Sequence, residues 1–208
     1  MDFPRLYPII DTALCDDRRI EPVALADACL AGGARLLQLR ARKDEPSAAF
    51  VQLAERILAA ARRVDARVIV NDRADVARLA AADGVHVGQT DLSVSAVRAI
   101  VGPELVVGIS THDREQIDEA LAGDATYIAV GPVFPTATKD TGYTPRGLDL
   151  VRYAAHRGKP VVAIGGITLD RAAAVVAAGA SAVAVIADIL VGRDPEARVR
   201  AFLERLRA

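Results

Sequence analysis

Chemistry in this chain is concentrated in the few residues that follow each of its short apolar runs. Beyond Tyr127-Ile128-Ala129-Val130 lies GPVFPTATK, Gly131 to Lys139, where Thr136, Thr138 and Lys139 offer two hydroxyls and an ammonium between prolines. Such donors suit a phosphorylated ligand, although a solvated Thr-rich turn has the same make-up. Gly142, Pro145 and Gly147 predict a flap that closes over a ligand. Beyond Leu36 to Leu39 come Arg40, Arg42 and Lys43. Gln38 and Arg40 stand two apart in an extended run and so share a face. An amide and a guanidinium are costly to bury unpaired, so that face meets either a ligand or an internal polar layer.

After Val70 comes NDRAD, in which Asn71 and Asp72 reach the strand end and Asp75 is expected to cap the next helix. After Val87 comes GQTD, ending at Asp91. Alone, Asp91 reads as a helix cap. Joined by Asp72 from the neighbouring strand, it makes a two-carboxylate Mg²⁺ site, completed by water and substrate phosphate. Ser110 and Thr111 can cap the helix that starts near Asp113. His112 is either a proton donor and acceptor near neutrality or a plain hydrogen-bonding residue. His86 is expected to pack within its strand, and His156 to sit at a helix end. Gly165 and Gly166 let backbone N–H groups approach an anion. Ile186, Ala187 and Asp188 lead from the last run into a helix start, a second anion-binding feature. Two sites result. Glycines and a helix terminus suit a monophosphate; two carboxylates with Arg40, Lys139 and Arg42 or Lys43 suit a Mg²⁺-bound diphosphate.

Positioning these residues falls to Leu6–Ile10, Leu36–Leu39, Val68–Val70, Val85–Val87, Val106–Ile109, Tyr127–Val130, Val161–Ile164 and Ala182–Ile186. Segments of helical period separate them, among them Ala48–Arg62, Asp113–Ala122 and Arg171–Ala178. The runs are nearly continuous, as in parallel strands covered on both faces. They predict one α/β domain over residues 1–208, a closed (β/α)8 TIM barrel with parallel strands, whose post-strand loops gather at one face. An open doubly wound sheet is the alternative.

With 52% apolar residues the chain can bury a large core, while 4% aromatics and no Trp argue against base stacking on single-stranded nucleic acid. A formal charge of −1 provides no field for nucleic acid or an anionic membrane. Met1 to Arg5 lack the pattern of a signal peptide, and no apolar run approaches the ~18 residues of a membrane span. Cys15 and Cys29 have neither metal nor redox spacing, and Cys29 sits in an Ala-rich helical pattern that reads as packing. The expected setting is the cytoplasm, with phosphorylated small molecules as partners, no nucleic acid and no membrane. A homo-oligomer is left open.

Taken in order, the motifs resemble the thiamine phosphate synthase family over nearly the whole chain. They are QLR (Gln38–Arg40), VNDRADVA (Val70–Ala77), DGVHVGQTDL (Asp83–Leu92), GISTH (Gly108–His112), GPVFPTATK (Gly131–Lys139) and VVAIGGIT (Val161–Thr168). The resemblance implies a Mg²⁺-dependent transferase. It joins an aminopyrimidine methyl diphosphate to a thiazole phosphate carboxylate, giving thiamine phosphate, pyrophosphate and CO₂. On this resemblance Gln38, Arg40, Arg42, Asn71, Ser110 and Lys139 bind the pyrimidine diphosphate, with Arg40, Lys139 and Ser110 serving catalysis. Asp72 and Asp91 hold Mg²⁺, and Thr136, Thr138, Gly166, Ile186 and Ala187 bind the thiazole phosphate. Two positions depart from the family pattern. The Lys four residues after the Gln is here Arg42, and the Ser after the eighth strand is Ala187, followed by Asp188. Related alternatives are a thiazole tautomerase using His112 and a non-catalytic phosphometabolite-binding protein. Asn71, Asp72, Asp91 and Lys139 favour the synthase.

Overall fold

In the computed structural model the apolar runs become eight strands that close on one another in chain order, all pairings being parallel. They are β1 (Leu6–Asp11), β2 (Leu36–Arg40), β3 (Arg67–Asn71), β4 (Gly84–Val87), β5 (Val106–Thr111), β6 (Tyr127–Val130), β7 (Val161–Ala163) and β8 (Ala182–Val185). The β1–β8 pairing, with Leu6 opposite Val183, shuts the barrel and excludes the open sheet. The structure describes residues 3–42, 44–136 and 142–207. Lys43, Thr138 and Lys139 lie outside these residues.

Helices α1 (Thr12–Arg18) and α2 (Pro22–Ala31) link β1 to β2. One helix follows each of the next strands: α3 (Ser47–Arg62), α4 (Ala74–Leu79), α5 (Val94–Val101), α6 (Arg114–Ala122), α7 (Gly147–Ala154) and α8 (Leu169–Ala177). A 3-10 turn over Ala187–Arg193 then precedes α9 (Pro195–Arg205).

Alternation along each strand divides its side chains between two layers. Leu37, Leu39, Val68, Val70, Val85, Val107, Ile128 and Val130 face outward into the layer shared with the helices. Tyr7, Ile9, Leu36, Ile69, Val106, Tyr127, Val162 and Ala184 fill the barrel. Each fully buried Val, Leu or Ile contributes ~1.5–3 kcal/mol of transfer free energy, so the strands are held from both faces. Gln38, Asn71 and His86 are buried polar residues near the same end of the barrel.

The helix starts correct several expected caps. Asp113 caps α6 by accepting the Gln116 N–H at 2.9 Å, while Thr111 Oγ1 donates to the Ala129 carbonyl at 3.0 Å. Ser93 caps α5, which leaves the Asp91 carboxylate to accept the Gly88 N–H at 2.8 Å. Asp75 lies inside the first turn of α4, with Arg73 before it, and pairs with that guanidinium at 2.6 Å. Arg73 in turn holds the Asp75 carboxyl below the usual carboxylate range, chiefly by this hydrogen bond. Cys15 and Cys29 are buried free thiols, pushed up by burial to about 11 and about 12, so both are packing groups rather than nucleophiles.

Candidate active site at the barrel mouth

A cavity of about 930 Å³ opens where the strands end, lined by residues from all eight strand exits. Its first side is built on β1 and β2. Asp11, 5% exposed at the end of β1, accepts the Leu14 N–H at 3.0 Å through Oδ1 and so caps α1. Its other oxygen, Oδ2, pairs with Arg40 Nη1. A buried carboxylate thus anchors one corner of a cavity-lining guanidinium. Arg42 is oriented differently. Its guanidinium meets Asp16 at 3.1 Å, Glu45 at 3.3 Å and Asp44 at 3.5 Å, and it is not among the residues lining the cavity.

Deeper in, Gln38 Nε2 donates to the Tyr7 hydroxyl at 3.2 Å, and that hydroxyl lies 3.2 Å from Tyr127 Oη. Tyr127 Oη reaches His86 Nδ1 at 2.9 Å, and His86 Nε2 reaches Ser110 Oγ at 2.9 Å. Burial raises both phenols well above their ordinary value, so both stay protonated. His86, expected as a packing residue, is therefore a polar link beneath the cavity. Asn71 and Ser110 complete this side.

The two carboxylates named for Mg²⁺ sit on adjacent loops, since Asn71 and His86 are partners in the β3–β4 register. Asp91 is exposed on the cavity wall. Asp72, with φ 61°, is half-buried outside the lining residues, and its N–H donates to the His86 carbonyl at 2.7 Å. Among the described residues no group of three or more His, Cys, Asp or Glu side chains is placed to hold a metal. Two carboxylates on adjacent loops are nevertheless the donor type that Mg²⁺ takes.

The opposite side comes from β6, β7 and β8. Gly166 has φ +62°, and a Cβ there would stand 2.3 Å from the Pro135 carbonyl, so only glycine lets this loop lie against the one after β6. Thr136, Gly166, Ile186 and Ala187 all line the cavity. Asp188 borders the cavity as well, but its carboxylate is engaged within the fold. Its Oδ2 accepts Arg198 Nη2 at 2.7 Å, Arg198 Nε at 3.1 Å and the Leu169 N–H at 3.2 Å. The carboxylate beside the expected phosphate site is thereby neutralised within the fold. His112 Nδ1 is 2.6 Å from the Gly131 carbonyl, and its ring stacks on Tyr143 with centroids 4.0 Å apart.

Asp11, Tyr7, Tyr127 and Arg171 are site residues to which the sequence reading gives no role. Asp11 ends β1 as Asn71 ends β3, but a single Asp before a helix reads as an ordinary cap, so its sequence position gave no distinct signal. Arg171 lines the cavity while donating to the Gly166 carbonyl at 2.8 Å, and nothing in its helical context marks it out.

A closed parallel barrel with arginines, carboxylates and glycine-rich loops around one mouth is the architecture of a (β/α)8 enzyme. The chain belongs to the thiamine monophosphate synthase family, whose sequence model matches residues 6–189. It is 47% identical over 192 residues to a thiamine-phosphate synthase of Anaeromyxobacter dehalogenans, covering 90% of this chain and 86% of that one. The corresponding protein of Mycobacterium bovis is 46% identical over 209 residues, with 94% and 92% covered. Among solved structures, a thiamine phosphate pyrophosphorylase from Pyrococcus furiosus superposes with a TM-score of 0.87 at 32% identity, covering 98% of this chain and 95% of that one.

Proposed function

We propose that this protein condenses an aminopyrimidine methyl diphosphate with a thiazole phosphate carboxylate, giving thiamine phosphate and releasing pyrophosphate and CO₂. One observation carries this reading. Gln38, Arg40, Asn71 and Ser110 share a single cavity with Thr136, Gly166, Ile186 and Ala187, so one chamber can hold both substrates at once. A volume of about 930 Å³ suits two small molecules side by side.

The chemistry asks for electrostatics and placement rather than a nucleophile. Arg40, steadied by Asp11, faces the diphosphate and offsets the charge that grows as pyrophosphate departs. Gln38, Asn71 and Ser110 orient the electron-rich pyrimidine, which stabilises the cation left behind. The Gly166 loop and the Ala187 amide hold the thiazole phosphate so that the ring nitrogen meets that cation. Lys139 and Thr138, outside the described residues, keep the parts their motif gives them, at the leaving group and the thiazole phosphate. Asp72 and Asp91 are the residues that would hold Mg²⁺, which when bound supplies further neutralisation of the diphosphate. The synthase reading is preferred to the isomerase because the similar proteins are named as synthases or pyrophosphorylases.

The metal assignment is tested by Asp72→Ala. Mg²⁺-dependent pyrophosphate release should fall ~10²-fold or more, the scale of losing a key electrostatic group. Coupling at the wild-type rate would remove Asp72 from the site.

A further inference from the structure

Buried Gln38, Tyr7, Tyr127 and His86, ending on half-buried Ser110, form an unbroken hydrogen-bonded chain across the barrel, each link between 2.9 and 3.2 Å. Its ends, Gln38 and Ser110, lie on β2 and β5. Its direction follows from counting protons. The Gln38 amide donates to Tyr7 Oη. Tyr7 Oη has one proton, and among the described residues its other hydrogen-bonding neighbour is Tyr127 Oη. Were Tyr127 the donor in that pair, the Tyr7 oxygen would accept twice and its own proton would be stranded in a side chain 1% exposed. Tyr7 therefore donates to Tyr127, and Tyr127 donates to His86 Nδ1. The His86 proton then belongs on Nε2 and is given to Ser110 Oγ.

We infer that this chain is a one-way orienting device: it fixes His86 as the Nε2–H tautomer and turns the Ser110 hydroxyl proton outward into the cavity. The inference rests on the proposed synthase reading for what Ser110 meets there, a bound substrate atom that accepts a hydrogen bond. Tyr7, Tyr127 and His86 touch no substrate in this scheme; they are positioning residues acting through Ser110. The fold makes room for the device. Gly108 sits opposite Tyr127 in the β5–β6 register, and a Cβ at Gly108 would lie 2.1 Å from Tyr127 Cζ. A glycine inside a strand is explained by the phenol that crosses over it.

Two measurements on the full chain test the inference. The first is ¹⁵N NMR of histidine-labelled protein without substrates. Three histidines are present, so His86 is assigned by difference from His112→Gln and His156→Gln. A pyridine-type Nδ1 and a pyrrole-type Nε2 are expected; the reverse pattern overturns the chain. The second is a kinetic cycle of Tyr127→Phe, Ser110→Ala and the double variant. Tyr127→Phe should lower kcat roughly 10–10²-fold, as misplacement of a substrate-facing group does, with KM for the pyrimidine diphosphate little changed. It should have almost no further effect once Ser110 is Ala, because its influence passes through that hydroxyl. Independent, additive losses overturn the inference. The tautomer is read without any reaction, so a wild-type protein that makes no thiamine phosphate would overturn the functional reading alone.

Discussion

Arg40 shows how a single charged side chain is held ready for its proposed task on the diphosphate. A free arginine loses rotamer freedom when it binds a phosphate; this one is already held by Asp11, whose second oxygen is fixed by the α1 N-terminus. Asp11→Asn should keep the cap, because an amide oxygen can still accept the Leu14 N–H, but it removes the charge that pairs with Arg40. Coupling kcat/KM is expected to drop by about tenfold, equivalent to ~1.4 kcal/mol, with little change in Tm. Unchanged kinetics would mean that Arg40 finds its place without Asp11. Arg40 and Gln38 were legible in the sequence because a cation and an amide two residues apart on an apolar strand have few plain explanations. Asp11 was not, since one Asp before a helix reads as an ordinary cap, which it also is. Asp188 is the converse case. Its nearness to the phosphate side was readable, but its neutralisation by Arg198, from α9, required the three-dimensional fold.

Among the elements, the strands were the most legible and the loops the least. Every apolar run became a strand with bounds displaced by no more than about two residues, as expected for period-two segments covered on both faces. Caps were misassigned at α4 and α6 because several Ser, Thr and Asp residues compete near each helix start, and only backbone geometry selects one. The loop after β7 makes a prediction of its own. Gly166→Ala brings a Cβ against the Pro135 carbonyl at a positive φ, costing about 1–3 kcal/mol in a thermal melt. It should raise KM for the thiazole phosphate several-fold while leaving KM for the pyrimidine diphosphate alone. Equal effects on both constants would detach Gly166 from the thiazole side.

At the scale of the whole molecule, barrel closure is what turns scattered motifs into a site. Gln38 and Ala187 are far apart in the chain, yet β2 and β8 both flank β1, so their exits share one mouth. The same closure fills the barrel below with Tyr7, Tyr127 and Ile69, so the cavity at the mouth lies above a packed interior. The tyrosine and histidine chain beneath the mouth could not be read from spacing, because Tyr7 and Tyr127 lie 120 residues apart and meet only when the barrel closes. Among the described residues no helix is long and apolar enough to cross a membrane.

The central claim is that one cavity joins two phosphorylated substrates. Its most direct test is to incubate the purified protein with Mg²⁺, the pyrimidine diphosphate and the thiazole phosphate carboxylate, and to measure thiamine phosphate and pyrophosphate together. Equal amounts of both products are expected when both substrates are present, and no thiamine phosphate when either is omitted. Interconversion of thiazole isomers without the pyrimidine diphosphate, and no thiamine phosphate with it, would show that the cavity does not join the two substrates.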